Sequence, residues 1–206
     1  MKPISVLIAD DHAVVRKGLA ALIDEEPDLR VAGEARDGDE AVAKALSKHP
    51  DVIVMDIMMP VLDGVEATRR ILAAWPDAKI VILTSFVTSD MLADGIAAGA
   101  KGAVLKSDEN DSLMETIRRV QAGKTVIAEE VRQLLKTDPP VKPLSARQRE
   151  ILESITRGLT NKDIAIQLGI SPTSVQSHVL TIFEKLGAAN KNEAVAIALR
   201  KHLLKI

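Results

Sequence analysis

The chain has 206 residues, and with about 150 residues to a typical domain it can form one large domain or two modest ones. It is 47% apolar and 27% charged, but Trp75, Phe86 and Phe183 are its only aromatics, so an aliphatic core is affordable while binding of single-stranded RNA by stacking is disfavoured. With no cysteine there is no disulfide framework, thiolate metal site or cysteine nucleophile, and no run reaches the roughly 18 apolar residues a membrane span needs. These features together suggest a soluble, cytoplasmic protein without membrane association.

The net charge of −2 conceals a division. Residues 1–142 hold 18 Lys+Arg against 24 Asp+Glu, whereas residues 143–206 hold 9 against 5, a balance of −6 followed by +4. Such a reversal fits an acidic, cation-handling part followed by one that approaches a polyanion, and equally fits two unevenly decorated surfaces.

In chain order, short β-branched runs at Ile4–Ile8, Val52–Met55 and Lys79–Thr84 alternate with amphipathic stretches near Val14–Ile23, Asp39–Lys48, Val65–Ala74 and Ser112–Ala122. Weaker strands at Arg30–Ala35 and Gly102–Lys106 and a helix at Asp90–Ala98 complete the rhythm. It predicts an α/β fold, a doubly wound parallel sheet of five strands, over residues 1–123. Residues 124–143 read as a linker with a short helix, Glu129–Lys136, because Thr137-Asp-Pro-Pro-Val-Lys-Pro143 cannot continue a helix. Residues 144–206 then read as a small all-α domain. Ser145 and Thr160 open capping boxes or their acidic variant, Ser171-Pro172 starts a third helix, and a fourth spans about Asn190–Lys201.

Open parallel sheets bind ligands beyond the carboxyl ends of their strands. At those ends stand Asp10 and Asp11, Asp56, Thr84 with Ser85, and Lys106. Three carboxylates in one cleft repel one another unless a hard cation holds them, which predicts Mg²⁺. A carboxylate beside Mg²⁺ can attack a phosphoryl donor while a hydroxyl and a lysine neutralise the phosphoryl oxygens; Asp56, alone at a central strand end, is the best nucleophile.

In the helical domain, Val175, Val179, Ile182, Phe183 and Leu186 share one face of a helix, leaving Thr173, Gln176, Ser177 and Leu180 on another. In a basic domain that polar face suits the DNA major groove. Periodicity alone fits a ligand-free helical bundle as well.

Two sets of motifs resemble known families. Asp10-Asp11, Met55-Asp56-Ile-Met-Met-Pro60-Val-Leu-Asp63-Gly64, Leu83-Thr84-Ser85 and Gly102-Ala-Val-Leu-Lys106 are similar to the receiver domain of two-component response regulators, a flavodoxin-like fold. The resemblance implies Asp56 as phospho-acceptor for a sensor histidine kinase, Mg²⁺ ligated by Asp11, Asp56 and the Met58 carbonyl with Asp10 acting through water, and phosphoryl contacts from Thr84 and Lys106. It also implies a switch aromatic three residues before Lys106, but that position holds Ala103.

Leu144-Ser-Ala-Arg147-Gln-Arg-Glu150, Gly158-Leu-Thr160-Asn161-Lys162-Asp-Ile164-Ala165, Leu168-Gly-Ile-Ser171, Val175-Gln-Ser-His178, Lys185-Leu186-Gly187 and Ala194-Val195 resemble the helix-turn-helix output domain of the LuxR/NarL class. This implies base contacts from Gln176, Ser177 and Leu180, phosphate contacts from Asn161, Lys162, Thr173 and His178, and a homodimer on promoter DNA when phosphorylated. Gln176 stands where the family often has lysine; a glutamine reads adenine through N6 and N7, and Leu180 can touch a thymine methyl, so an A·T-containing half-site is expected.

The expectation is therefore a phosphorylation-controlled transcription regulator with no enzymatic activity beyond its own phosphoryl acceptance. Two alternatives are a Mg²⁺-dependent phosphohydrolase, for which Met58 stands where a second acid is needed, and a phosphorylation-independent adaptor, against which the full set Asp10, Asp11, Asp56, Thr84 and Lys106 argues.

Overall fold

The computed structural model describes the chain apart from residues 1, 86–87, 107–109, 202 and 205–206, with the backbone alone at 84, 110 and 111. It divides into two compact units, Met1–Pro139 and Pro140–Ile206.

The first unit alternates strands and helices: β1 (Ile4–Ala9), α1 (Ala13–Glu25), β2 (Leu29–Ala35), α2 (Gly38–Lys48), β3 (Val52–Met55), α3 (Gly64–Ala74), β4 (Ile80–Thr84), α4 (Ser89–Ala97), β5 (Gly102–Leu105), α5 (Asn110–Gln121), β6 (Val126–Ile127) and α6 (Glu129–Thr137). All strand pairs are parallel, in the order β2-β1-β3-β4-β5-β6. The chain steps outward from β1 to β2 and then returns to β3 on the other side. This reversal opens a crevice at the carboxyl ends of β1 and β3.

Strand pleating sorts the core. Val6, Ile8, Val52, Val54, Val81 and Leu83 face one side, packing with Leu113 and Ile117 of α5. Leu7, Ala9, Ile53, Met55 and Ile80 face the other, against Ala41 and Ala45 of α2 and Ala67 and Ile71 of α3. Because both faces are covered, β3 is buried at every residue and reads in the sequence as a continuous apolar run rather than an alternating one.

Among the described residues the sheet has six strands where five were expected. Gly102 and Ala103 of β5 pair with Val126 and Ile127, and two residues are too few to leave a periodic signal. The segment expected as a linker is for the most part built into the first unit. Val131 of α6 is fully buried with Ile82, Leu92 and Ala103, and Leu134 and Leu135 pack around them. Ser89 Oγ at the start of α4 donates to Asp138 Oδ2 at the end of α6, 2.9 Å away.

The second unit is helical: α7 (Ala146–Thr156), α8 (Asn161–Leu168), α9 (Pro172–Leu186) and α10 (Lys191–Arg200). Ser145 with Gln148 and Thr160 with Asp163 form reciprocal capping boxes, and Ser171 caps α9 with Pro172 in its first turn. Gly169, at φ 63°, reverses the chain between α8 and α9 in a conformation that costs glycine little. Ile151, Ile164, Val175, Val179, Ile182 and Ala194 gather into one core.

Candidate functional site

Two main-chain hydrogen bonds set the acidic pocket at the crevice. Asp56 N donates to Ala9 O at 2.8 Å and Asp10 N to Ala35 O at 3.1 Å, so adjacent strands end level and their aspartates meet. The loop after Asp56 returns tightly: Gly64 N donates to Ile57 O at 2.9 Å, and a Cβ on Gly64 would lie 1.9 Å from Asp56 O. Leu62 N donates to Pro60 O across Val61, which is held at φ 67°. This is a γ-turn of the strained kind, and it is costly for a β-branched residue.

Asp10 and Asp56 are almost wholly buried, at 1% and 4% exposure. Lys106 Nζ lies 2.8 Å from Asp56 Oδ2 and 2.5 Å from Asp10 Oδ2. Burial pushes the Asp56 carboxyl up; the Lys106 ammonium pulls it back only in part, and Asp10 adds repulsion. Burial also works against the Lys106 ammonium, but the two carboxylates outweigh it and hold the group above its ordinary value.

Asp10, Asp11, His12 and Asp56 each offer a metal-ligating atom within 4.8 Å of the others. Among the described residues, Asp10 Oδ2 and Asp11 Oδ1 are buried without a hydrogen-bond partner. Their cationic or imidazole neighbours, Lys106 Nζ and His12 Nδ1, stand 2.5 and 2.7 Å away without hydrogen-bond geometry. Carboxylates converging from the ends of β1 and β3, with the Asp10 and Asp11 oxygens lacking hydrogen-bond partners, are a donor set that a hard divalent cation fits. Met58 lies two residues beyond Asp56 and is 46% exposed. Thr84 ends β4, paired with Leu105, and its hydroxyl lies outside the described atoms, as does Phe86.

His12, its side chain 69% exposed, is a neighbour of this cluster that sequence reading did not name. It directly follows the two aspartates at the N-cap of α1, and adjacency to Asp10-Asp11 in a residue type that binds metals was the available signal.

In the second unit, α9 buries Val175, Val179, Ile182 and Leu186 and exposes Thr173, Gln176, Ser177 and Leu180, the division that the wheel predicts. Lys162 is exposed on α8, while Asn161 and His178 are half-buried. Asn161 is not free at the surface: its Nδ2 donates to Gln176 Oε1 at 2.7 Å, and Lys191 Nζ donates to its Oδ1 at 2.8 Å. Lys191 was not among the expected contacts, since it lies 30 residues from Asn161 in sequence.

Comparison with known proteins accords with this division of labour. Residues 6–118 match the response regulator receiver domain, and residues 142–198 match the bacterial regulatory proteins of the luxR family. The transcriptional regulatory protein LiaR of Bacillus subtilis (strain 168) is 38% identical over 209 residues, covering 98% of this chain and 99% of that one. The crystal structure of the response regulator ChrA, from a heme-sensing two-component system, is 35% identical with a TM-score of 0.60, covering 99% and 100% of the two chains. The response regulator RcsB in its DNA complex is 25% identical with a TM-score of 0.70, covering 97% and 99%. The chain belongs to the two-component response regulators of the LuxR family, a receiver joined to a helix-turn-helix DNA-binding output domain. The phosphohydrolase and adaptor readings find no support among these relatives.

Proposed function

We propose that the chain is a transcription regulator switched by transfer of a phosphoryl group from a sensor histidine kinase to Asp56. The observation that carries this is the pairing of one half-buried ammonium, Lys106, with two buried carboxylates, Asp56 and Asp10. An Asp56 oxygen forms the new O–P bond as the N–P bond to the kinase histidine breaks, the electron pair leaving with the imidazole. Lys106 then exchanges a carboxylate oxygen for a phosphoryl oxygen, so its charge is never left without a counter-ion. Asp10, Asp11 and Asp56, with the Met58 carbonyl, would hold Mg²⁺, which when bound neutralises charge on the phosphoryl oxygens. The Thr84 hydroxyl is assigned to a remaining phosphoryl oxygen. Self-catalysed acceptance at Asp56 is the whole of the chemistry.

Output rests on the second unit. Gln176, Ser177 and Leu180 read base edges in the major groove and Lys162, Thr173 and His178 hold the backbone, as the basic balance of residues 143–206 favours, while Asn161, expected from the sequence to touch phosphate, is engaged by Gln176 and Lys191 instead. Phosphorylation raises the population of a homodimer whose two α9 helices occupy half-sites about one helical turn apart. RcsB, which matches 97% of this chain, has been solved as dimers on DNA. The setting is the cytoplasm, where kinase domain and promoter DNA are both accessible.

Intact-mass measurement with a small acyl phosphate and Mg²⁺ tests the acceptor: wild type gains one phosphoryl group and Asp56→Ala gains none. An equal gain in Asp56→Ala removes the assignment. Sedimentation and duplex binding of the phosphorylated and unphosphorylated full chain test the output, and identical oligomeric state and affinity in the two would overturn the coupling.

A further inference from the structure

Three side chains from three helices form a hydrogen-bonded series on the second unit. Lys191 Nζ donates to Asn161 Oδ1 at 2.8 Å, and Asn161 Nδ2 donates to Gln176 Oε1 at 2.7 Å. The order is dictated by chemistry. An ammonium has donors only, so it accepts no other face of the Asn161 carboxamide than its oxygen. The amide nitrogen of Asn161 is thereby directed at Gln176, which must answer with its own oxygen. The Gln176 Nε2 group, with two N–H donors, is left to the exposed face shared with Thr173, Ser177 and Leu180.

The series is well anchored for a surface feature. Asn161 and Lys191 are the first residues of α8 and α10, each following a capped N-terminus, so their backbones are fixed. Lys191 and Asn161 are half-buried, which limits competition from water for the bond between them, and a bond from a charged donor is stronger than one between neutral groups; the Asn161–Gln176 bond lies at the exposed end.

An unconstrained glutamine reads adenine by donating to N7 while accepting from N6. With its oxygen turned into Asn161, Gln176 presents donors, and the base edge offering two acceptors in the major groove is guanine, through O6 and N7. We infer that Lys191 is a specificity-determining positioning residue: acting through Asn161, it fixes the amide polarity of Gln176 so that α9 reads guanine rather than adenine. The inference rests on the DNA reading proposed above and revises the A·T half-site expected from Gln176 alone.

The test is selection of bound duplexes from a randomised pool by the full chain, treated with a small acyl phosphate and Mg²⁺. Gln176→Ala identifies the base position that depends on Gln176, as the one whose preference disappears. At that position wild type should favour guanine over adenine by about tenfold, the scale of one base-edge hydrogen-bonding pattern. Lys191→Arg, still a pure donor, should keep the preference, and Lys191→Met should reduce it to about twofold or less.

Asn161→Asp supplies the inversion. Its carboxylate accepts from both Lys191 and Gln176 Nε2, which turns Gln176 Oε1 outward and moves the preference to a base bearing an amine, adenine or cytosine. A carboxylate in the first turn of α8 suits the helix dipole, so this variant should fold. A wild-type preference for adenine, or a preference unaltered in both Lys191→Met and Asn161→Asp, overturns the inference and leaves DNA binding standing. Wild type that selects no duplex at all refutes the DNA reading and the inference together.

Discussion

Lys106 Nζ stands 2.8 Å from Asp56 Oδ2 in a pocket where Asp56 is 4% exposed, so the carboxylate proposed to accept the phosphoryl group carries its own counter-ion before any metal or phosphoryl group arrives. Removing one member of a buried charge set leaves the other charges uncompensated, which is more damaging than never having had the set. Lys106→Met should therefore destabilise the first unit by roughly 3 kcal/mol in the presence of a chelator. Millimolar Mg²⁺ should restore more stability to the variant than it adds to wild type, because the cation replaces the missing ammonium. Urea titrations with and without Mg²⁺ check this; an equal Mg²⁺ effect on both proteins would mean that Lys106 does not serve as the resident counter-ion.

A second carboxylate is held where β1 and β3 begin. Asp51 Oδ2 accepts from Ser5 Oγ at 2.5 Å and from Ser5 N at 2.8 Å. Burial works to raise the Asp51 carboxyl, but the two Ser5 bonds, helped by Lys2 and Lys79, outweigh it and hold the group below its ordinary value. A carboxyl lowered in the folded state contributes stability above its unfolded value of about 3.9 and loses it as pH falls through the folded value. Asp51→Asn should thus cost about 1–2 kcal/mol at pH 6, the worth of hydrogen bonds to a charged acceptor, and the difference from wild type should shrink below pH 4. Urea midpoints at pH 6 and pH 3 measure it, and a gap that stays constant would show that the charge of Asp51 contributes nothing.

How much of this could be read from the sequence depends on the range of the interaction. The Asp10, Asp56 and Lys106 convergence was legible because each residue directly follows an apolar strand, and parallel topology brings such ends together. The face of α9 was legible because Val175, Val179, Ile182 and Leu186 keep helical spacing. Strand β6 was not, since Val126-Ile127 is too short to show a period. Nor was the docking of α6: Val131, Leu134 and Leu135 announce an apolar stripe without saying that Ala103 and Leu92 are its partners. The Lys191–Asn161–Gln176 series is hidden for a similar reason. Each residue alone reads as a surface polar group, and only the packing of α8, α9 and α10 aligns them.

The docking of α6 has a consequence for where the first unit can be cut. A chain ending at residue 123 lacks Val126, 8% exposed in the core that holds Val104 and Val120, and Val131, 0% exposed, and it uncovers the side of Ala103 and Leu92 that Val131 packs against. Burying one such side chain is worth about 1.5–3 kcal/mol. Residues 1–139 should therefore be more stable than residues 1–123 by roughly 3 kcal/mol or more, with the shorter fragment binding an apolar dye more strongly. Equal urea midpoints for the two fragments would show that α6 is not an integral part of the unit.

On the proposed role of Asp56, loss of its phosphoryl group needs access of an oriented water, and the residue two positions beyond Asp56 is Met58, 46% exposed. Hydrolysis requires that water to be held in line with the O–P bond that breaks. A thioether offers no donor and only a weak acceptor, so Met58 can shield the pocket but cannot fix the water. An amide at the same place could. Met58→Asn should accelerate loss of the phosphoryl group by about threefold to tenfold, what one neutral hydrogen bond of roughly 1 kcal/mol is worth, with Mg²⁺ held constant. Met58→Leu, equally unable to orient water and similar in bulk, should leave the rate near that of wild type. The decay of phosphorylated mass in the three proteins decides the matter: equal rates in wild type and Met58→Asn, or acceleration in Met58→Leu as large as in Met58→Asn, would place the control of lifetime in loop motion rather than in this side chain.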